Sequence, residues 1–230
     1  MELRFTYLWI NVLTILLPLL TSFEPRLAFY RKWKYFLPSL FFTAVVFLVW
    51  DYFKTAYGVW SFNNRFITGI KFFNLPVEEM LFFITVPYSC TFIYESLSWF
   101  LAGHHFKWPL NRLLLTLAAI SIAASFFFLN KAYTFSVLFG AGLILPFLVR
   151  TLTTQQLHLF VLTYLLSLVP MAVVNGLLTC LPVVIYDNTE NLNLRIGTIP
   201  VEDFIYCLLL LGMNIGLYEW IRSSAKLDIE

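Results

Sequence analysis

Two pairs of acidic side chains stand at the start of long apolar runs, 124 residues apart in the chain. The first pair is Glu78 and Glu79 in the sequence Pro-Val-Glu-Glu, and the second is Glu202 and Asp203 in Pro-Val-Glu-Asp. Carboxyl groups are suited to general acid and general base catalysis, in which one group donates a proton and another accepts it. Because acidic groups in membrane segments are costly, their presence in both copies indicates a functional site that moves a proton.

A structural interpretation of the repeated motif is also open. Proline is well tolerated at the first position of a helix, since its missing N–H would have no partner there. Acidic side chains in the first turn interact favourably with the positive end of the helix dipole. Each motif could therefore cap a helix at the membrane surface, although its occurrence twice favours a functional role.

A third acidic position follows the same offset of 124 residues, which places Asp51 in correspondence with Asn175. Both lie near the end of a predicted helix, at the membrane face where the acidic pairs begin. Asp51 is therefore predicted to approach Glu78 and Glu79, and Asn175 to approach the second pair. The alternative is an interfacial ion pair between Asp51 and Lys54.

Two further acidic residues, Glu95 and Glu219, also correspond to each other at this offset. They follow Glu78 and Glu202 by 17 residues, which is about 25 Å along a helix at 1.5 Å per residue. We therefore predict structural or interfacial roles for them at the opposite membrane face.

The composition requires an integral membrane protein. The chain of 230 residues is 60% hydrophobic and only 12% charged, whereas soluble domains carry roughly 25% charged residues. With about 20 apolar residues needed for each crossing, the sequence predicts an all-α fold with about seven transmembrane helices. The predicted spans are 5–20, 37–55, 78–99, 112–129, 133–149, 157–179 and 203–221. The net charge of +2 is small, so we expect membrane lipid and no nucleic acid among the partners.

The offset relates the first three predicted helices to the last three and leaves the fourth as a connector. Three helices and one connector give both copies the same orientation, so the repeats should be parallel and related by an axis along the membrane normal. We predict a first repeat over residues 1–110, a connector helix over 111–130 and a second repeat over 131–230. Nine of the 15 lysines and arginines fall on the side of the C-terminus, which predicts a multi-pass protein of the cell membrane with a cytoplasmic C-terminus and an outside N-terminus.

Aromatic residues are abundant, with 25 Phe, 12 Tyr and 7 Trp. Phe82 and Phe83 follow the first acidic pair and Tyr206 follows the second; together with Asn175, they are predicted to contact a substrate. Ring faces can stabilise a cation close to an acid. The sequence contains no dinucleotide-binding or P-loop motif, and its histidines and cysteines lack metal-ligand spacing. We therefore predict neither a cofactor nor a metal.

These motifs in their context resemble the lycopene cyclase family. The matching segments are Leu75–Phe83, Ile199–Phe204, Trp50–Tyr52 and Trp60. The resemblance covers essentially the whole chain, and it is to the form in which two subunit-like halves are fused. It implies a cofactor-independent isomerase that acts on lycopene, a C40 polyene dissolved in the bilayer. An acid would protonate the terminal double bond, the resulting cation would close a six-membered ring, and a base would remove a proton to give a β-end.

The resemblance favours Glu78 and Glu202 as the principal acid and base. Glu79, Asp203 and Asp51 would then tune or relay the proton. Two alternatives stay open at this point. A carotenoid hydratase of the same superfamily would let water quench the cation, and a small proton-coupled transporter would also fit two parallel three-helix repeats. A homo-oligomer and contact with other carotenoid enzymes are open as well.

Overall fold

The computed structural model describes residues 3–104 and 108–227, and seven long helices dominate this part of the chain. The helices are α1 Thr6–Thr21, α2 Trp33–Ala56, α3 Val77–Phe100, α4 Leu110–Ser125, α5 Ala132–Thr151, α6 Thr154–Cys180 and α7 Val201–Leu227. Short 3-10 turns at Leu3–Phe5, Phe29–Lys32 and Phe126–Phe128 extend α1, α2 and α4. All seven helical segments are long and apolar enough to cross a membrane. The predicted all-α membrane fold is confirmed.

The helix bounds differ from the predicted spans because hydropathy marks the part of a helix that lies in lipid, not the ends of the helix. Helix α2 begins at Trp33, and α7 continues to Leu227, beyond the predicted apolar segments. Helix α6 begins at Thr154 because Thr153 and Gln156 form a reciprocal capping box there. Such a cap satisfies backbone N–H groups that have no partner inside the helix.

Six short strands, which the sequence did not predict, lie in the two loops before α3 and α7. They are β1 Trp60–Phe62, β2 Lys71–Phe72, β3 Leu75–Pro76, β4 Val184–Tyr186, β5 Arg195–Ile196 and β6 Ile199–Pro200. Strand β2 pairs with β3, and β5 pairs with β6, so an equivalent hairpin precedes α3 and α7. Strand β1 pairs antiparallel with β4, and this two-stranded ribbon joins the two repeats.

The ribbon also shows how the repeats are related. At one end the Asn63 N–H donates to the Val183 carbonyl, and at the other end the Asp187 N–H donates to the Val59 carbonyl, both at 2.9 Å. Asp187 is the counterpart of Asn63 at the offset of 124, and Val183 is the counterpart of Val59. Exchanging the two repeats therefore turns each of these hydrogen bonds into the other. A pseudo-twofold axis therefore passes through the ribbon and runs along the membrane normal, as expected for parallel repeats.

Helices α3 and α7 form the centre of the bundle, since they are the most buried of the seven. Helices α1, α2, α5 and α6 surround them, and the connector α4 packs on α5. Gly142 makes that last contact possible, because a Cβ atom there would lie 2.1 Å from Cγ1 of Ile122. Small residues commonly allow close helix packing in membranes. The connector thus lies outside the six helices that the axis relates.

A polar cluster fastens α3 to α7 at the end of the bundle far from the ribbon. The Tyr218 hydroxyl donates to Glu95 at 2.6 Å, and the Tyr94 hydroxyl donates to Glu219 at 3.1 Å. Arg222 bridges both carboxylates, at 3.2 Å from Glu95 and 3.3 Å from Glu219. The two tyrosine bonds cross the axis reciprocally, so this pair of acidic residues ties the repeats together.

Candidate active site

The first acid of each motif turns back onto the loop that precedes its helix. Glu78 accepts the Thr68 backbone N–H at 2.7 Å, and Glu202 accepts the Leu192 N–H at 2.7 Å. Glu202 also accepts the Thr134 hydroxyl at 2.6 Å. Both side chains are buried. These contacts fix the hairpin loops against the starts of α3 and α7.

The second acid of each motif points toward the middle of the bundle instead, because neighbouring residues on a helix project about 100° apart. Glu79 accepts the Tyr7 hydroxyl of α1 at 2.5 Å. Asp203 accepts the Tyr133 hydroxyl of α5 at 2.6 Å. Since α1 and α5 are corresponding helices, each repeat contributes one pair of an acid and a tyrosine to the centre.

Asp203 has more hydrogen-bond donors than Glu79. Its second oxygen accepts the Tyr186 hydroxyl at 3.0 Å and the Asn175 amide at 3.2 Å. Burial and the adjacent Asp203 raise the pKa of Tyr186 well above its ordinary value, so this hydroxyl keeps its proton and continues to donate. Three donors stabilise the ionised form of a carboxyl group.

The acids meet in a small central chamber with a volume of about 50 Å³. Asp51, Glu79 and Asp203 line it, and no lysine or arginine is among the described residues of its wall. Aromatic rings complete the wall, some from the β1–β4 ribbon: Tyr7, Trp60, Phe62, Phe82, Tyr133, Tyr186 and Tyr206. Burying several carboxylates without a cation is costly. The chamber is therefore suited to holding a proton that its carboxyl groups share.

A larger apolar cavity of about 480 Å³ adjoins this chamber. Its walls come from α1, α3, α6 and α7, and its inner end shares Phe82, Asn175, Asp203 and Tyr206 with the chamber. Ligand-binding pockets are typically apolar, with a few polar groups that fix orientation, and measure roughly 300–1,000 Å³. The cavity thus has the size and lining for an apolar ligand that ends against the acids.

The structure brings most of the sequence-predicted site residues together. Asp51 lies with Glu79 in the chamber wall, and Asn175 lies beside Asp203. The Lys54 ammonium donates to the Ala132 carbonyl at 2.6 Å, so the interfacial pair with Asp51 is not the contact that forms.

One predicted substrate contact lies elsewhere. Phe83 is fully buried and packs against Phe47, with ring centroids 6.1 Å apart. It lies behind Phe82, whose ring lines both the chamber and the cavity. Phe83 therefore supports the wall, whereas Phe82 forms its surface.

Sequence comparison of the repeats at one fixed offset missed the tyrosines that bind the acids. Tyr7 and Tyr133 are 126 residues apart, two more than the offset that relates α3 to α7. Allowing the offset to change between helices would have found this pair. Tyr186 has Phe62 as its counterpart, so the repeat carries no signal for its hydroxyl.

These features define a class of protein: an integral membrane protein with several buried carboxyl groups at the end of an apolar cavity. The lycopene cyclase family model matches residues 4–97 and 130–221, which cover both repeats. The chain belongs to the lycopene cyclase family. Searches of curated proteins and of solved structures gave no match. The family supports a carotenoid cyclase type of enzyme, with a carotenoid substrate and a membrane environment.

Proposed function

We propose that the protein is a lycopene β-cyclase that converts the ψ-ends of lycopene to β-rings by acid–base catalysis within the membrane. The observation that supports this most strongly is the placement of Asp51, Glu79 and Asp203 in one aromatic chamber at the end of an apolar cavity. An acyclic polyene end offers only carbon–carbon double bonds. A buried proton donor, a proton acceptor and an apolar site are what its cyclisation requires.

In this proposal Glu79 and Asp203 are the principal catalytic groups. Glu79 accepts one hydroxyl, from Tyr7, and it interacts electrostatically with both Asp51 and Asp203. Neighbouring acids cannot all ionise easily, so Glu79, which has fewer hydrogen-bond donors than Asp203, is assigned to hold the proton that a general acid needs. The three donors to Asp203 stabilise its ionised form more than the single donor stabilises that of Glu79, so Asp203 is assigned as the general base.

The reaction conserves atoms and electrons. Glu79 gives its proton to C2 of the terminal double bond, which leaves a tertiary cation at C1. The C5–C6 double bond attacks C1, so the C1–C6 bond forms and the positive charge moves to C5. Asp203 removes the proton from C6, whose electrons form the C5–C6 double bond of the β-ring. One proton enters and one leaves, and Asp51 would return the proton to Glu79.

The aromatic wall protects and stabilises this cation. Rings of Trp60, Phe82 and Tyr206 line the chamber, and ring faces attract positive charge. A hydratase would need a water molecule placed next to the cation, whereas ring closure needs only the neighbouring double bond and a wall that stabilises the cation.

Glu78 and Glu202 receive a supporting role in this proposal. Their side chains bind the backbone of the hairpin loops, and they lie one residue before the acids that face the chamber. They would fix the start of α3 and α7, and thereby the direction in which Glu79 and Asp203 point.

Expression in a lycopene-accumulating bacterium tests the proposed function. We expect the pigment to change from red to orange-yellow, and chromatography with mass spectrometry should detect products that have the mass of lycopene and one or two β-rings. Cells with an empty vector are the control. Products heavier by one water would indicate a hydratase, and unchanged lycopene beside a well-expressed protein would contradict the proposal and favour transport.

A further inference from the structure

We propose that the polyene end enters through one lateral opening between α1 and α6, and that aromatic side chains close the corresponding route between α5 and α2. This inference rests on the proposed function, since it assigns the apolar cavity to the same substrate. It predicts that the two repeats, although similar in fold, are unequal in how they admit a carotenoid.

The mouth of the open route lies on the lipid-facing surface of the bundle. Leu13 and Leu17 of α1 and Val173 and Leu177 of α6 line the cavity, and all four are exposed. A ligand dissolved in the hydrocarbon region could therefore move sideways into the cavity without crossing the polar membrane surface. The inner end of the cavity reaches Asp203.

The pseudo-twofold axis predicts a second route between α5 and α2, but larger side chains stand at the corresponding positions. The counterparts at the offset of 124 are Trp50 for Val174, Phe47 for Met171 and Phe83 for Cys207. Val174, Met171 and Cys207 all line the open cavity. We call Phe47, Trp50 and Phe83 the aromatic plug.

The rings of the plug are in direct contact. The centroids of Phe47 and Trp50 are 5.7 Å apart and stacked, and those of Phe47 and Phe83 are 6.1 Å apart. Tyr206 closes the inner side, with its ring 5.3 Å from that of Phe47 and 5.7 Å from that of Trp50. The space that is open in one repeat is therefore filled by rings in the other.

Helix α5 lies close to α7 and to Trp50 of the plug at Gly140. A Cβ atom on Gly140 would be 2.8 Å from Leu209 and 3.6 Å from the Trp50 ring. At the offset of 126 that relates α1 to α5, the counterpart of Gly140 is Thr14, which lines the open cavity. The missing side chain at Gly140 thus lets α5 approach α7 beside Trp50, where the other repeat has the threonine that lines its cavity.

A single entrance also agrees with the positions of the two proposed catalytic groups along the route from the cavity to the chamber. Asp203 lines both the cavity and the chamber, whereas Glu79 lines the chamber alone. A polyene end that enters tip first would place its terminal double bond near Glu79. The C6 position, four bonds nearer the middle of the molecule, would lie near Asp203. The proton donor and the proton acceptor then face the carbons that must gain and lose a proton.

Substitution of matched valines tests the open route. Val173 at the mouth is 59% exposed, and its counterpart Val49 on the plugged side is 52% exposed. We expect Val173→Trp to lower lycopene conversion about fivefold or more, and Val174→Trp, deeper in the cavity, to lower it at least about tenfold. Val49→Trp adds the same bulk outside the plug and should stay within about twofold of the wild type.

Conversion is measured by pigment chromatography and divided by the amount of protein in the membrane from immunoblots, so a variant that fails to insert is recognised. Full activity of both Val173→Trp and Val174→Trp at normal membrane levels would overturn the single entrance, as would equal losses in Val173→Trp and Val49→Trp. These outcomes require an active wild type. An inactive wild type would instead contradict the proposed function, so the two failures are distinct.

Discussion

Replacement of Glu79 by glutamine is expected to reduce ring formation by about 100- to 10,000-fold, the usual contribution of a general acid. Glutamine keeps the size of the side chain and can still accept the Tyr7 hydroxyl, but it has no acidic proton to give to the polyene. Asp203→Asn should cause a loss of similar size, because an amide is a poor base. Lycopene conversion per amount of membrane-inserted protein measures both effects.

Glu78→Gln and Glu202→Gln are the matched controls for these variants, since they change the adjacent acid in the same way. A glutamine carbonyl can still accept the backbone N–H of Thr68 or Leu192. We therefore expect each control to retain activity within about tenfold of the wild type. If the Glu78 and Glu202 variants were inactive while the Glu79 and Asp203 variants cyclised lycopene normally, the catalytic roles would belong to the first acid of each motif.

Arg222→Met is expected to destabilise the protein by about 2 kcal/mol, because it removes the hydrogen bonds from a cation to two buried carboxylates, although Lys32 still pairs with Glu95 and Gln156 still donates to Glu219. Arg222 is the cation that Glu95 and Glu219 share, and both carboxylates are buried. Methionine retains much of the apolar stem. The loss should appear as a lower unfolding midpoint in detergent micelles, followed through helical circular dichroism.

Arg26→Met serves as the matched surface control. Arg26 forms an exposed pair with Glu24 at 3.7 Å, and such pairs contribute at most about 1 kcal/mol. Its unfolding midpoint should stay near that of the wild type. Equal shifts for the two variants would mean that the cluster around Arg222 does not tie α3 to α7 as the hydrogen bonds suggest.

The sequence predicted the helices and the repeats because both follow from patterns along the chain. Long apolar runs define segments that must lie in lipid, and the recurrence of Pro76–Glu79 as Pro200–Asp203 relates one set of helices to the other. The parallel arrangement then follows from counting crossings. No knowledge of side-chain contacts was needed for these conclusions.

The orientation of the individual acids could not be predicted in this way. Glu78 and Glu79 are neighbours with the same chemistry, so hydrophobic periodicity cannot show which of them faces the centre of the bundle. Their environment depends on the loop that leads into the hairpin before α3, since this loop supplies the Thr68 N–H to Glu78. That hairpin consists of two-residue strands, too short for the alternation by which strands are recognised.

The aromatic plug is a second feature that could not be predicted from the sequence alone. The change from Val174 to Trp50 between the repeats is visible in the sequence, but aromatic residues are common throughout this chain and face lipid at many positions. Only the ring contacts with Phe47 and Tyr206 show that Trp50 fills an internal space. A difference between repeats becomes informative once the axis that relates them is known.

The ribbon of β1 and β4 has a consequence for how such a protein can be encoded. Each half supplies one strand, so neither half alone satisfies the backbone groups along that edge or encloses the acids. Unpaired strand edges readily bind another strand. A gene interrupted between α3 and α4 would therefore yield two polypeptides that complete each other through this ribbon, and covalent linkage of the halves would mainly secure their equal supply.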